Sequence, residues 1–96
     1  MLDGRGVGAV PEDALQRRVL AILRDVAGSG QVELDPDVPL YSSGLLDSLA
    51  TVTLMAAFAE QLGVDISPAE FDAEAWGTPR RMAADVAARA RGGRPA

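Results

Sequence analysis

The sequence predicts an all-α fold, a small bundle of four helices in which three are longer and the third is short. Alanine is abundant while β-branched and aromatic residues are few, which favours helices over strands. Apolar residues also recur at helical spacing in three separate segments. The chain of 96 residues is long enough for one modest core, and its apolar content of 48% is typical of a globular domain.

The first helix is predicted over residues 12–27, beginning after Pro11 and ending at Gly28-Ser29-Gly30. Its apolar residues recur on one face, namely Leu15, Val19, Ile22, Leu23 and Val26. Residues 31–47 follow as a long connection, because Pro36 and Pro39 prevent a regular helix across it. Since this connection also contains several apolar residues, we expect it to pack on the bundle.

The second helix is predicted from Ser48 to Leu62, with Gly63 as its stop. One apolar stripe is expected along it, with further apolar residues on the flanking faces: Leu49, Val52, Ala56, Ala59 and Leu62 in the stripe, and Leu54, Met55 and Phe58 beside it. Glu60 is the only charged residue within the helix. Such a helix is expected to be buried on most sides, and part of its apolar surface near Ser48 is a candidate docking site; the two interpretations are compatible.

A capping box at Ser67-Pro68-Ala69-Glu70 predicts the start of the short third helix, which is expected to carry Phe71 and Ala75 and to reach Trp76. Trp76 is interpreted as a core residue, with stacking on a ligand as the alternative. Thr78-Pro79 begins the last helix, predicted over residues 79–90. Its buried face is expected at Met82, Val86 and Ala90, with Ala83 and Ala87 beside it, and its charged residues are expected in solvent: Arg80, Arg81, Asp85, Arg89 and Arg91.

One domain is predicted, over residues 11–91. The glycine-rich residues 1–10 are expected to form a flexible extension without the apolar segment of a signal peptide, and residues 92–96 a flexible tail. No apolar run is long enough to span a membrane, so a cytoplasmic location is expected.

Composition excludes several kinds of function. The chain carries 14 acidic and 9 basic residues, a net charge of −5, which argues against binding to nucleic acid. It contains neither cysteine nor histidine, so disulfides, thiol chemistry, the usual general base and the commonest metal ligand are all absent. The acidic residues at 65, 70, 72 and 74 lack the spacing of a calcium loop, and no metal site is expected.

The segment Gly44-Leu45-Leu46-Asp47-Ser48-Leu49 is the main candidate for function. Asp47 and Ser48 stand where a loop meets a helix, and such pairs most often serve only as helix caps. A helix N-terminus also suits a phosphate anion, and an exposed serine beside apolar residues is accessible to another enzyme. Because the chain has no histidine that could serve as its base, we do not expect this serine to act as a catalytic nucleophile.

At this segment the sequence resembles the carrier-protein superfamily of acyl carrier proteins and peptidyl carrier domains, whose signature is Gly, two apolar residues, Asp, Ser and Leu or Met. Further matches resemble the D-alanyl carrier protein group more specifically: Thr51-Val52, Phe58, Phe71-Asp72 and Trp76-Gly77-Thr78-Pro79. The resemblance covers residues 12–90.

The resemblance implies an acyl-carrier-protein-like bundle without catalysis of its own. Ser48 would take a 4'-phosphopantetheine arm from coenzyme A and hold an acyl or aminoacyl group as a thioester. The implied partners are a phosphopantetheinyl transferase, an adenylating ligase, and a downstream acyl or aminoacyl transferase or condensing enzyme, acting on a monomer. Residues expected to contribute to partner recognition are Asp47, Leu49, Thr51, Val52 and Met55.

The Ala- and Arg-rich composition suggests an actinobacterial source, where such relatives serve as free-standing carriers. Natural-product biosynthesis of the nonribosomal peptide or polyketide type is therefore the primary expectation. The alternative is a D-alanyl carrier for teichoic-acid D-alanylation, and in either case we expect the cargo to be an amino acid. An alternative of another class is a helical interaction module that is never modified.

Overall fold

The computed structural model describes residues 12–92 and, within them, an all-helical bundle without strands. The elements in chain order are α1 (Glu12–Ala27), α2 (Gln31–Leu34), α3 (Ser48–Leu62), a 3₁₀ turn (Pro68–Glu70) and α4 (Pro79–Ala90). The predicted fold class and the bounds of the three longer helices are confirmed. The extension predicted at 1–10 and most of the tail predicted at 92–96 lie outside the described residues.

The amphipathic face of α1 lies where its periodicity predicts. Leu15, Val19 and Leu23 are buried, and Val26 packs against the core at its edge. This face contacts α4 and α3. The burial of so many apolar side chains on one helix stabilises a chain of this size by several kcal/mol, at ~25 cal/mol per Å² of apolar surface.

The one-turn helix α2 was not predicted within the connection at 31–47. It forms because the carbonyl of Gly30 accepts the N–H groups of Glu33 and Leu34 at 3.0 and 3.2 Å. Val32 is fully buried on its inner side, whereas Leu34 is 86% exposed. The segment between Gly30 and Pro36 has room for only one helical turn, too short for a periodic pattern to reveal.

The rest of this connection packs on the bundle, as expected. Val38, Leu40 and Leu46 are buried. The N–H of Leu40 donates to the carbonyl of Gly77 at 2.9 Å, and the N–H of Leu46 donates to the carbonyl of Leu40 at 3.0 Å. These bonds fix the path by which the chain enters α3.

The predicted third helix is shorter than expected and does not contain Phe71, Ala75 or Trp76. The capping box is present, and a 3₁₀ turn covers only Pro68–Glu70. Phe71 then adopts an extended backbone, with φ −68° and ψ 135°. The carboxylate of Asp72 accepts the N–H of Glu74 at 2.9 Å, a local turn that competes with helix continuation.

The last helix, α4, buries the predicted face: Met82, Ala83, Val86 and Ala87 are buried, with Ala90 partly so. Two of its charged residues are not solvated as expected. The carboxylate of Asp85 accepts the indole N–H of Trp76 and the Nε–H of Arg89, each at 3.0 Å. The Arg89 side chain is consequently only 19% exposed. The helical period puts Asp85 and Arg89 next to the buried face of α4, but it cannot predict that the indole N–H of Trp76 donates to Asp85.

Among the described residues, no helix has both the length and the apolar character needed to cross a membrane.

Candidate functional site

The loop that precedes α3 presents Ser48 at the surface. A turn at Gly44, whose φ of +84° suits glycine, leads to Leu46, which is buried. Two residues later the helix begins, and Ser48 is its first residue. The Ser48 side chain is exposed, as predicted, and makes no hydrogen bond to any of the described residues.

Asp47 caps α3 through both its side chain and its backbone. Its Oδ1 accepts the N–H of Ala50 at 2.8 Å, and its carbonyl accepts the N–H of Thr51 at 3.0 Å. The carboxylate is exposed, so it is available to other molecules as well as to the helix. The capping interpretation is therefore confirmed, and it leaves a further role for Asp47 open.

The faces of α3 are arranged differently from the expectation. The side chains turned into the core are Thr51, Leu54 and Phe58, whereas two members of the expected stripe, Leu49 and Val52, are 75% and 59% exposed. Because both sets are helically spaced, and Leu54 and Phe58 are as apolar as Leu49 and Val52, periodicity alone could not decide which set faces the core. The leucine buried next to the helix start is Leu46.

An apolar groove of about 620 Å³ begins at Ser48. The first turns of α3 line one part of it, the 3₁₀ turn and the segment after that turn line another, and Tyr41 contacts both through Thr51 and Phe71. The lining residues are Tyr41, Asp47, Ser48, Thr51, Val52, Met55, Pro68, Phe71 and Ala73. Met55 is half-buried and contacts both the core and the groove, so the core and partner-contact interpretations of this residue are compatible.

Thr51 was expected to contribute to partner recognition, but it is only 6% exposed. Its Oγ1 lies 2.6 Å from the hydroxyl of Tyr41 and 2.9 Å from the carbonyl of Asp47. Burial raises the pKa of Tyr41 above its ordinary value, and the hydrogen bond to Thr51 partly opposes this shift. A side chain so buried offers little surface to a partner, so the prediction for Thr51 is corrected. Tyr41 itself was not identified as a site residue; only its place in an apolar loop pointed to it.

Trp76 packs against Phe71, which lines the groove. It is 2% exposed and makes edge-to-face contacts with Phe58 and Phe71, at centroid distances of 5.6 and 5.5 Å. It does not line the groove, so the core interpretation holds and the ligand-stacking alternative is wrong. Phe71 in turn packs against Tyr41, with 6.3 Å between the two ring centroids.

The electrostatic surroundings of Ser48 are simple. Among the residues that the structure describes, Asp47 is the only charged one that lines the groove, and α3 carries no charge until Glu60. Within residues 12–92 no group of three acidic, histidine or cysteine side chains could hold a metal ion. The arrangement thus presents one exposed hydroxyl at a helix N-terminus, beside an apolar groove and an exposed apolar helix face.

Comparison with known proteins identifies relatives that cover most of the chain. The family model described as "Phosphopantetheine attachment site" matches residues 17–86. The D-alanyl carrier protein of Enterococcus faecalis is 43% identical over 74 residues, which cover 77% of this chain and 95% of the relative. That of Lacticaseibacillus rhamnosus is 41% identical, covering 78% and 93%. The Bacillus pumilus protein is 35% identical, covering 75% and 92%.

Proposed function

Because this chain belongs to the phosphopantetheine attachment site family, we propose that Ser48 is the residue that carries its 4'-phosphopantetheine prosthetic group. The observation that carries this proposal is the exposed hydroxyl of Ser48 at the first position of α3, immediately after the Asp47 cap. When bound, the group supplies a terminal thiol that holds an acyl group as a thioester.

The surroundings of Ser48 fit a phosphodiester. The N-terminus of α3 carries the positive end of the helix dipole, which favours an anion at this position. The capping bonds from Asp47 leave the Ser48 hydroxyl unused. The groove that begins at Ser48 offers apolar surface to an attached chain.

The chain supplies no chemistry for its own modification. No histidine exists in the sequence, and no described side chain lies within hydrogen-bonding distance of the Ser48 hydroxyl to accept its proton. Modification therefore requires a phosphopantetheinyl transferase, and loading requires an adenylating ligase. Asp47, exposed beside Ser48, is placed to contact the transferase and its metal ion.

We propose a D-alanyl group as the cargo, delivered onward by an acyltransferase. The D-alanyl carrier proteins to which this chain is 35–43% identical support this alternative over natural-product biosynthesis, the primary expectation from sequence. They equally disfavour a module that is never modified.

The partner enzymes dock on the exposed apolar face of α3. Leu49 and Val52 project from it beside Ser48, and Met55 lines the groove one turn further along. Because α3 carries no charge before Glu60, an apolar partner surface complements this face better than a basic one.

Intact-mass spectrometry tests the attachment site. The protein, incubated with coenzyme A, Mg²⁺ and a promiscuous phosphopantetheinyl transferase, should gain the mass of one phosphopantetheine. Ser48→Ala should gain none, whereas Ser42→Ala, which removes an exposed serine from the same loop, should react like the wild type. An unmodified wild type, or modified Ser48→Ala protein, would refute the proposal.

Loading the modified protein tests the cargo. With a D-alanine-adenylating ligase and ATP, D-alanine should be attached faster than L-alanine, and palmitate should not be attached. Efficient loading only by palmitate would overturn the assignment.

Substitution of Leu49 tests the docking face. Leu49→Asp places an anion at a helix N-terminus, where the dipole favours it, so the fold should be retained. The value of kcat/KM for loading should nevertheless fall at least tenfold. Leu34→Asp, which makes the same change at an exposed leucine of α2, is the control and should leave loading unchanged. Equal rates for both variants would place docking elsewhere.

A further inference from the structure

Thr51 is the one polar residue that is buried among the residues the structure describes. It shares the inner face of α3 with Leu54 and Phe58, both fully buried. Burial of a hydroxyl is unfavourable unless it is hydrogen-bonded, and valine would fill the same volume without that requirement. The hydroxyl therefore needs an explanation beyond packing.

The hydrogen bonds of Thr51 have a definite direction. A hydroxyl has one proton to donate, and Thr51 donates it to the carbonyl of Asp47 at 2.9 Å. In the 2.6 Å contact with Tyr41, the donor must then be the Tyr41 hydroxyl and the acceptor Thr51 Oγ1. A chain of two hydrogen bonds thus runs from Tyr41 through Thr51 to Asp47.

This chain acts on the peptide that joins Asp47 to Ser48. The carbonyl of Asp47 accepts two hydrogen bonds from Thr51, one from its N–H at 3.0 Å and one from its hydroxyl. That carbonyl and the N–H of Ser48 belong to one planar peptide group. Fixing the carbonyl therefore fixes the plane from which the Ser48 side chain projects.

A threonine in a helix often bonds back to the carbonyl four residues before it, so the bond to Asp47 alone is ordinary. Thr53 makes the same kind of bond to the carbonyl of Leu49 at 3.0 Å, but it is exposed. The bond from Tyr41 distinguishes Thr51, because it ties the helix start to a loop residue ten positions earlier.

We propose that Tyr41 and Thr51 are positioning residues that clamp the Asp47–Ser48 peptide and so hold the Ser48 hydroxyl in the orientation its modifying enzyme requires. This inference rests on the proposed attachment at Ser48. The clamp leaves the serine itself exposed and unbonded, so it orients the nucleophile without competing for its proton.

Steady-state kinetics of phosphopantetheine transfer, with a promiscuous transferase and varied concentrations of the carrier and coenzyme A, test the clamp. Tyr41→Phe and Thr51→Val should each lower kcat about tenfold, with the KM for coenzyme A unchanged, because misorientation slows the chemical step. The double variant should be no slower than the slower single variant, since the two hydroxyls act as one unit.

Two controls separate positioning from stability. Thr51→Ser retains the hydroxyl and should keep the wild-type kcat although it loses a buried methyl group. Thr53→Val removes the matched but exposed bond and should also leave kcat unchanged. Hydrogen exchange at the amides of Ala50 and Thr51, which are bonded to Asp47, should accelerate in the unmodified Tyr41→Phe and Thr51→Val proteins and not in Thr53→Val.

The outcomes are distinct. Faster exchange with an unchanged kcat would make the clamp merely structural and overturn the inference, as would unchanged exchange and unchanged kcat. A loss of kcat in Thr51→Ser equal to that in Thr51→Val would also overturn it. If the wild type is not modified at all, the proposed function fails first, and the positioning role falls with it.

Discussion

Replacement of Trp76 by alanine should destabilise the protein more than any change at its surface. The indole is almost completely buried and meets Phe58 and Phe71 edge to face. Its N–H donates to Asp85, so one side chain joins the aromatic cluster to α4. Because Phe71 lines the groove and packs on the indole ring, loss of this side chain should loosen both core and groove.

The expected decrease in the free energy of unfolding follows from the contacts that each substitution removes. Removing a buried tryptophan side chain costs about 3–5 kcal/mol, through lost burial and the cavity that remains. Trp76→Phe keeps a ring against its neighbours and removes the indole donor, at a cost of about 2 kcal/mol for a bond to a charged acceptor. Asp85 still accepts from Arg89 in that variant, so its carboxylate is not left unpaired.

Urea unfolding followed by far-ultraviolet circular dichroism is the suitable assay, because the chain has one tryptophan and the variants lose its fluorescence. With an m-value of about 1 kcal/mol per M, the midpoint should fall by roughly 3–5 M in Trp76→Ala and 2 M in Trp76→Phe. Leu34→Ala, at an exposed position, should stay within about 0.5 kcal/mol of the wild type. A Trp76→Ala midpoint no lower than that of Leu34→Ala would refute the packing.

Three further outcomes are expected. Asp47→Ala should lower the free energy of unfolding by about 1 kcal/mol, while Asp47→Asn should keep most of the cap; equal thermal midpoints for wild type and Asp47→Ala would contradict this. The hydrogen bond from Arg80 lowers the pKa of Asp37, and the stability that this bond contributes is lost as the pH falls through that pKa. In Arg80→Gln, an NMR titration should find the pKa of Asp37 closer to its ordinary value, and this pH-dependent loss of stability should be absent. Burial raises the pKa of Tyr41, so the folded state holds the phenolic proton to a higher pH than the unfolded state does. The free energy of unfolding should therefore fall as the pH rises above the ordinary tyrosine pKa of about 10. In Tyr41→Phe, denaturation measured at several alkaline pH values should show a smaller fall.

The fold was largely predictable from sequence because its three longer helices are each marked at both ends and along one face. Pro79 after Thr78 marks one start, and Gly63, with φ of +69°, marks one stop. Short elements escaped prediction. Neither α2 nor the turn beyond Glu70 is long enough for periodicity, and both depend on individual hydrogen bonds to side chains and loop carbonyls.

The candidate site was predictable in sequence position but not in its internal contacts. The motif around Ser48 predicts an exposed serine at a helix start, and the structure has one there. The burial of Thr51 and its hydrogen bond with Tyr41 depend on how the loop, ten residues earlier in the chain, folds back onto α3. Sequence periodicity cannot predict such a contact, and it also could not predict which face of α3 is buried.

The exposed pair Leu49 and Val52 lies within about one helical turn of Ser48, and this closeness imposes a kinetic constraint. A protein interface covers about 800 Å² on each partner, so any enzyme that reaches the Ser48 hydroxyl covers both side chains. On the proposed function, successive enzymes would therefore exclude one another, and each would have to dissociate before the next could bind. The rate of the slowest dissociation would then set an upper limit on turnover, and a substitution that tightened one complex would lower that limit.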